Sequence, residues 1–471
     1  MKPPAFTAAR RFWPVVLAAN LVGCAGLTGP DQLPAAQTAA PAPAWQAPLP
    51  HNGEISDLGR WWLQFGDSTL SLLIERAQTV SPSLAGARSR IEQSRAALAG
   101  ANAAFGPTVD ARGSASRAQP EVNMRGATSA AVSIQAQWDI DLSGASRATR
   151  DAAQARLDGA SAAWHDARVS VAAEVAQHYT TLRACEAQLA QTRLDAQSRQ
   201  ETARLTDLAA RAGFQAPSSA ALTRASAAQG NNLALQQAAQ CALSVKALVA
   251  VSGWDEPDLR ARLVENTARL PTPATLKVSS VPAQALAQRP DLAAAAHELL
   301  ANAADVASSS ALLYPRISLG GNIGAGHFSS GAMTSAGSTW SLGPVSVTIP
   351  LFDGGRQRAN IDAARARYDE SVLVYAGKVR VAVREVEEAL ITLDSTAQRN
   401  EDARIATEGF QASYAAALAR YRGGLSNLFE LEDARRTAVQ AQSALIELQR
   451  ERVAGWINLY RALGGGWSAT P

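Results

Sequence analysis

The sequence predicts an internally duplicated α+β membrane protein in which amphipathic strands lead into very long helices. Three observations predict this class. Residues 345–351 alternate apolar with polar or small side chains, the two-residue period of a half-buried strand. The stretch from Phe352 to Gly424 contains no proline, and its apolar residues recur at helical steps of three, four and seven. The same order of segments occurs twice along the chain.

The composition argues against two other classes. The 471 residues carry 44 Lys and Arg against 41 Asp and Glu, a net charge of +3, so the totals do not indicate general nucleic-acid binding. The sequence contains no run of eighteen or more apolar residues, and on this criterion it excludes a transmembrane helix. A membrane role would therefore need strands.

The first residues have the pattern of an export signal. A basic start and a short apolar core at residues 12–22 precede small residues and Cys24, a pattern that resembles the lipobox of bacterial lipoproteins. Cys24 would then be the acylated first residue, and Ala25 after it favours the outer over the inner membrane. A plain secretory signal with a chance cysteine is the alternative. Residues 25–50, rich in Ala, Pro and Gln, indicate an extended tether.

The first half then predicts a helix, two strands and a long helix. The helix runs from about Thr69 to Ala104 and ends at Gly106-Pro107. Strict alternation predicts strands around residues 109–115 and 132–142, each with one apolar and one wet face. The long helix covers about Ala145 to Ala212. An ordinary amphipathic coiled coil explains that helix locally, but strands entering and leaving it argue for more.

The second half repeats this order. A helix from Pro290 to about Leu313 precedes strands around 317–323 and 340–349, with a bulge at Gly343-Pro344. Four landmarks recur 208 to 213 residues later: Pro107 and Pro315, Gly144 and Gly354, Gly213 and Gly424, Gly253-Trp254 and Gly466-Trp467. This spacing predicts a duplicated unit of helix, two strands, very long helix, turn and second helix.

Two cysteines are placed symmetrically about a predicted turn. Cys185 lies 28 residues before Gly213 and Cys241 lies 28 residues after it. If the chain reverses there, with Pro217 in the first turn of the returning helix, the two cysteines lie at the same height on antiparallel helices. Disulfides persist in exported proteins, so a Cys185–Cys241 bridge is predicted. Two free buried cysteines are the alternative.

The strands are predicted to close into a membrane barrel. They are about ten to twelve residues long, enough to cross a bilayer when tilted, and open sheet edges are not tolerated in lipid. Four strands cannot enclose a lumen, so the barrel must be shared between chains. Aromatic residues fall where strands meet helices and predict a belt at one membrane face: Phe105, Trp138, Tyr314 and Phe352. A soluble sandwich is the alternative.

The chain resembles the TolC-type outer-membrane factors, closest to the NodT-like lipoprotein branch that serves tripartite efflux pumps. The residues that carry the resemblance span nearly the whole mature chain in the family's order: Leu21 to Cys24, Trp61 to Asp67, Gln137 to Asp139, Gln288 to Asp291, Ile349 to Gly355, Tyr421 to Gly424 and Leu463 to Trp467.

The resemblance implies a homotrimer with a 12-stranded outer-membrane β-barrel, four strands per chain, continuous with a long periplasmic α-helical barrel. It implies a passive duct without cofactor that exports small molecules once a periplasmic adaptor and an inner-membrane transporter, most simply of the RND type, dock. The corresponding domains are a signal peptide (1–23), a lipidated tether (24–60), a first repeat (61–253), an equatorial connection (254–288) and a second repeat (289–471).

In the family, the periplasmic tip carries the gate. The resemblance places that tip at the helix turns of Gly213 and of Gly423-Gly424. Two acidic residues past the second turn, Glu430 and Asp433, would ring the aperture and favour cations.

Neighbouring positions complete the expected gate. Some relatives have an aspartate where this chain has Ser426, and Tyr421 with Arg422 would latch the tip to a neighbouring helix. An ordinary solvated helix face is the alternative for each of these residues.

Three other functions are alternatives to an efflux duct. An enzyme finds no support, since the five histidines are scattered and the glycine-rich stretch 320–326 lies in a predicted strand instead of opening a helix. A periplasmic coiled-coil scaffold lipoprotein would have no pore. Within the channel class, a duct for type I protein secretion is the alternative to small-molecule efflux.

Overall fold

The computed structural model describes residues 58–119, 126–272 and 286–467. A 3₁₀ helix, Leu58–Phe65, precedes α1, Ser68–Val80, and α2, Pro82–Ala103. Strands β1, Thr108–Ala118, and β2, Ala127–Ile140, lead into α3, Ala145–Arg211, which is followed by α4, Pro217–Ser252, and α5, Glu256–Leu263. The second half holds α6, Pro290–Ala311, β3, Arg316–Ser330, β4, Met333–Thr348, α7, Arg356–Arg422, and α8, Leu428–Ala462, before a final 3₁₀ turn, Gly464–Gly466.

This order confirms the predicted duplication of helix, two strands, long helix and return helix. Both long helices, α3 and α7, contain 67 residues. Each begins after an aspartate that accepts hydrogen bonds from its first turn: Asp141 from the amides of Ser146 and Arg147, and Asp353 from that of Gln357. A carboxylate at a helix N-terminus satisfies unpaired amides and complements the helix dipole.

Two sequence-level boundaries were wrong. The first helix is broken between α1 and α2, because Pro82 has no amide hydrogen to donate and holds Ser81 in an extended conformation. Strand β1, with 11 residues, has the predicted length, but β2, β3 and β4 are longer, with 14, 15 and 16 residues. Strands β3 and β4 continue to a tight turn at Gly331.

The four strands form one antiparallel sheet in the order β1-β2-β3-β4. Ala111, Ile134, Ile323 and Trp340 are paired in one row, and Arg112, Ser133, Gly324 and Thr339 in the next. Because neighbouring rows point to opposite faces, the sheet has one apolar and one polar face. The register shifts between Leu319 and Gly321, opposite Gly343-Pro344, which confirms the predicted bulge.

The chain divides into two compact units. Of the described residues, one unit contains the sheet and comprises 103–119, 126–150 and 302–369. The other comprises 58–102, 151–272, 286–301 and 370–467, and its hydrophobic core includes Trp61, Leu73, Leu182, Leu390 and Trp456. The tryptophan-rich segment before α1 is therefore a core element of the helical unit.

Helix α4 bears on the prediction that the chain contains no transmembrane helix. Among the described helices it is the one that is long and apolar enough to cross a membrane by length and composition. Its polar residues interrupt any continuous apolar run. One such helix is weak evidence for a span, because core helices of soluble proteins meet the same criterion.

Candidate functional site

The two helix turns lie in the helical unit and have the same hydrogen-bonding pattern. Gly213 and Gly424 adopt φ of +78° and +71°, which disfavours side-chain-bearing residues. The next amides, of Phe214 and Leu425, donate to Ala209 O and Arg420 O, both at 2.8 Å. Each turn is thus a Schellman motif, which satisfies the last carbonyls of the long helix.

The turns differ in how the return helix begins. Pro217 occupies the first turn of α4, as predicted, and Asn427 caps α8 by accepting a hydrogen bond from the amide of Glu430 at 2.9 Å. Gly423 follows the end of α7 and has no positive φ, so the left-handed conformation at the second turn belongs to Gly424 and not to both glycines.

Tyr421 links the two long helices near these turns. Its hydroxyl lies 3.0 Å from the hydroxyl of Thr206 on α3. Thr206 donates to the carbonyl of Thr202, so Tyr421 is the donor in the bond between the hydroxyls. Arg422 is exposed. Its charge acts on Glu201 of α3, whose carboxyl pKa is lowered first by the hydrogen bond from Arg204 and further by the charge of Arg422.

The two carboxylates expected at the aperture both have local cationic partners. Glu430 lies 2.8 Å from Arg420 Nη1 and accepts a hydrogen bond of 2.7 Å from Ser426. Asp433 forms an ion pair with Arg436. Ser426 therefore supports Glu430, and the charge available from each carboxylate is reduced by a neighbouring arginine.

Buried polar residues on the helices next to the turns were not predicted from the sequence. Arg435 is 1% exposed and contacts side chains of α3, α7 and α8. A signal was present: Leu428, Leu431 and Ala438 are buried at steps of three and seven, and Arg435 falls on the same side of α8. An arginine at such a position indicates an internal partner.

Cys185 of α3 and Cys241 of α4 form a disulfide, with 5.5 Å between their Cα atoms. Gln237 lies beside the bridge, and its amide nitrogen is 3.2 Å from the Cys185 sulfur. The bridge fixes the two helices of the first hairpin at one height. Cys24, the expected lipidation site, lies outside the described residues.

Two of the four predicted interface aromatics are brought together in the sheet unit. The indole nitrogen of Trp138 donates to the carbonyl of Phe105 at 2.8 Å, and the Arg150 guanidinium lies 5.7 Å from the Phe105 ring centre. Tyr314 and Phe352 are exposed. The aromatic belt stays a prediction.

The described residues contain no group of three or more His, Cys, Asp or Glu side chains that could hold a metal. The arrangement consists instead of a two-faced sheet and of two helix turns whose hairpins are joined by the hydroxyls of Tyr421 and Thr206.

Comparison with known proteins agrees with this description. The family of outer membrane efflux proteins matches residues 73–254 and 281–465. The chain is 30% identical to outer membrane protein OprJ of Pseudomonas aeruginosa, over 99% of this chain and 97% of that protein. It is 29% identical to the pyoverdine export outer membrane protein OpmQ of Pseudomonas putida, over 96% and 97%.

A solved structure shows the same fold. The outer-membrane channel OprN matches with a TM-score of 0.82 and 27% identity, covering 93% of this chain and 99% of that one. Since the sequence matches and this fold both extend along nearly the whole chain, the protein belongs to the outer membrane efflux protein family, whose members are efflux channels of the outer membrane.

Proposed function

We propose that this chain is the exit duct of a tripartite pump that expels small molecules. In this proposal three copies close one 12-stranded barrel, Cys24 carries the lipid anchor, and a periplasmic adaptor with an inner-membrane transporter of the RND type supplies cargo and energy. The chain performs no catalytic step.

The two-faced, open-edged sheet is the observation that carries the proposal. Val132, Ile134 and Trp340 on the apolar face are all more than half exposed. An apolar face of this kind suits lipid, while the row around Arg112 and Asp110 on the opposite face suits a wet lumen.

The strand order supports sharing of the barrel. Among the described residues, β1 and β4 each have one edge without a partner strand. Such edges are costly in hydrocarbon, where no water can satisfy them. Pairing β1 of one copy with β4 of the next satisfies both edges, and three copies of four strands reach a size that encloses a lumen.

The helix turns offer a surface for the adaptor. Phe214 at the first turn and Leu425 and Phe429 at the second are at least three-quarters exposed. Exposed apolar side chains that recur at related turns are typical of a docking surface. A helical adaptor that buries these groups would also engage the turns next to the Tyr421–Thr206 bond.

The names of the relatives favour small cargo. They include proteins of pyoverdine export and of toluene and antibiotic efflux. A duct for type I protein secretion is the alternative, and a periplasmic scaffold without a pore is the alternative of another class.

The proposal is tested in two steps. Purified protein should migrate as a heat-sensitive trimer in mild detergent and give discrete single-channel conductance in planar bilayers. Deletion of the gene should raise susceptibility to small toxic compounds without reducing secretion of large proteins. A monomer without conductance would leave the scaffold alternative, and loss of protein secretion alone would favour type I secretion.

A further inference from the structure

A polar network with a buried arginine at its centre lies next to the two helix turns and involves all four helices of the helical hairpins. At its centre is Arg435 of α8, which is 1% exposed. We call this set the Arg435 network, with the following members: Asp195, Ser198, Arg199, Thr202, Ser226, Tyr414, Glu432 and Arg435.

Arg435 joins α8 to α3 and α7. Its Nη2 donates to the hydroxyls of Thr202 at 2.9 Å and Ser198 at 3.3 Å, both on α3. Its Nε donates to the hydroxyl of Tyr414 on α7 at 3.4 Å, and Tyr414 in turn lies 2.6 Å from the Ser198 hydroxyl. Its Nη1 donates to Glu432 at 2.5 Å. One side chain therefore holds three helices together.

The fourth helix completes the circuit. Ser226 of α4 donates to Glu432 at 3.2 Å and accepts from Arg199 of α3 at 2.9 Å. Arg199 also donates to Asp195 at 2.8 Å, and the other oxygen of Asp195 lies 3.9 Å from Arg435 Nε. Two arginines and two carboxylates balance within the network.

Helix α4 approaches α3 closely at this height. A Cβ on Gly230 would come within 2.7 Å of Arg199 Cδ and 3.3 Å of the Ala196 Cα. Gly230 therefore leaves room for Arg199 between the two helices. Close backbone packing and the Arg435 network thus restrain α3 and α4 at the same distance from the turns.

The contacts nearer the turns are of another kind. The ion pair of Arg420 with Glu430 is 54% and 40% exposed, and Asp433 and Arg436 are more exposed still. Exposed ion pairs contribute little, because water and salt screen them. Separating a buried charge from its partners is far more costly, because the charge is left without water.

We propose that the Arg435 network is a fixed clamp, with Arg435 as its positioning residue, and that opening of the tip is confined to the turns below it. The mobile part would comprise residues 203–225 and 415–431, roughly the last one to three helical turns on each side. On this account, Tyr421–Thr206 and Arg420–Glu430 break when the tip opens and the contacts of Arg435 persist. The inference rests on the proposed function, because its consequence is a gated tip in a channel.

The test compares Arg435→Met with Arg436→Met in the full-length protein. Methionine keeps much of the length of the side chain and removes its charge. Arg436 is an exposed neighbour whose loss controls for a change of charge on α8. Where Arg435→Met fails to assemble, the variant Arg435→Met with Glu432→Gln removes one positive and one negative charge together.

Amide hydrogen exchange of the detergent-solubilised protein measures directly whether the Arg435 network restrains the helices. In the native protein, the peptides 203–211 and 415–422 should exchange at least about tenfold faster than 187–195 and 438–446. Arg435→Met should extend fast exchange into the latter pair, and Arg436→Met should not. Slow exchange above the network in Arg435→Met would overturn the clamp, as would equal exchange on both sides of it in the native protein.

Permeability separates this inference from the proposed function. Arg435→Met should increase uptake of a large antibiotic severalfold in a strain lacking the native gene, and Arg436→Met should leave uptake unchanged. Unchanged uptake with extended exchange would keep the clamp and reject its role at the tip. Absence of conductance in the native protein would instead reject the channel, while the exchange result still decides the clamp.

Discussion

The hydroxyl of Tyr179 lies 2.5 Å from a carboxylate oxygen of Asp67 and ties the long helix α3 to the start of α1. Both side chains are buried, and the other carboxylate oxygen of Asp67 accepts the amide of Leu70 at 3.1 Å. Burial, together with the hydrogen bond to Asp67, raises the pKa of the Tyr179 phenol, so the phenol remains a donor at every physiological pH.

Replacing Tyr179 with phenylalanine should destabilise the helical unit. The Asp67 oxygen would stay buried without a donor, which costs about 1–3 kcal/mol. The midpoint of guanidinium unfolding, followed by far-ultraviolet circular dichroism, measures the effect. Tyr314→Phe, at an exposed tyrosine, should change the midpoint little. Equal midpoints for the native protein and Tyr179→Phe would contradict the assignment.

The disulfide should make a measurable contribution to stability. Cys185 and Cys241 are separated by 56 residues, and the chain-entropy model gives about 4 kcal/mol for a loop of that size. Replacing both cysteines with serine should therefore lower the unfolding midpoint strongly. In exported, unreduced protein, alkylation followed by mass spectrometry should label neither cysteine. Quantitative labelling of both would show that the native protein holds thiols.

Asp291 should make stability sensitive to acid. Burial opposes its ionisation, but the hydrogen bonds and charge of Arg289, the Leu292 amide and the charge of Lys378 together hold the pKa of the Asp291 carboxyl below its ordinary value of 3.8. A folded-state pKa below the unfolded value gives stability that is present above the unfolded pKa and is lost as the pH falls through the folded pKa.

The variant Asp291→Asn should consequently lose stability at neutral pH and show a flatter decline below about pH 4. The carboxyl of Asp166 affects the pH dependence of stability in the opposite direction, because burial and the charge of Asp291 raise its pKa. Its contribution is greatest in acid and declines as the pH rises through that raised value. Urea midpoints measured from pH 3 to pH 7 check both directions, and parallel curves for variant and native protein would contradict the assignment.

The acidic residues of the tip should tune ion preference in the channel. Glu430→Gln should reduce the preference for cations, and Arg420→Met should increase it, because the arginine that lies 2.8 Å from Glu430 would no longer neutralise it. Reversal potentials in a potassium chloride gradient measure the change. Glu447→Gln, which removes a carboxylate far along α8, is the control. Shifts of the same sign for Glu430→Gln and Arg420→Met would reject the electrostatic account.

Patterns set by local physics were predicted well. The long helices, the alternation of the strands and the glycines at both turns follow from periodicity and from backbone conformations that each segment imposes by itself. The symmetric spacing of Cys185 and Cys241 about Gly213 predicted their proximity for the same reason, since a helical hairpin converts equal sequence distance into equal height.

Contacts between distant segments were not predicted. The sequence shows Arg435 among charged neighbours, and only the packing of α8 against α3 turns it toward Thr202 and Ser198. Likewise, the sequence predicts Glu430 as an aperture carboxylate, and only the folded turn places Arg420 beside it.

The local patterns of the chain specify its elements: two copies of a strand pair and a long helical hairpin, with glycine at each reversal. Which side chains meet across these elements depends on the folded chain, which sets the register that aligns the apolar faces of the four strands and the four-helix network around Arg435. The physical reason is that helix and strand periodicity are local properties of the chain. A buried charge, in contrast, is stabilised by partners from helices far apart in sequence.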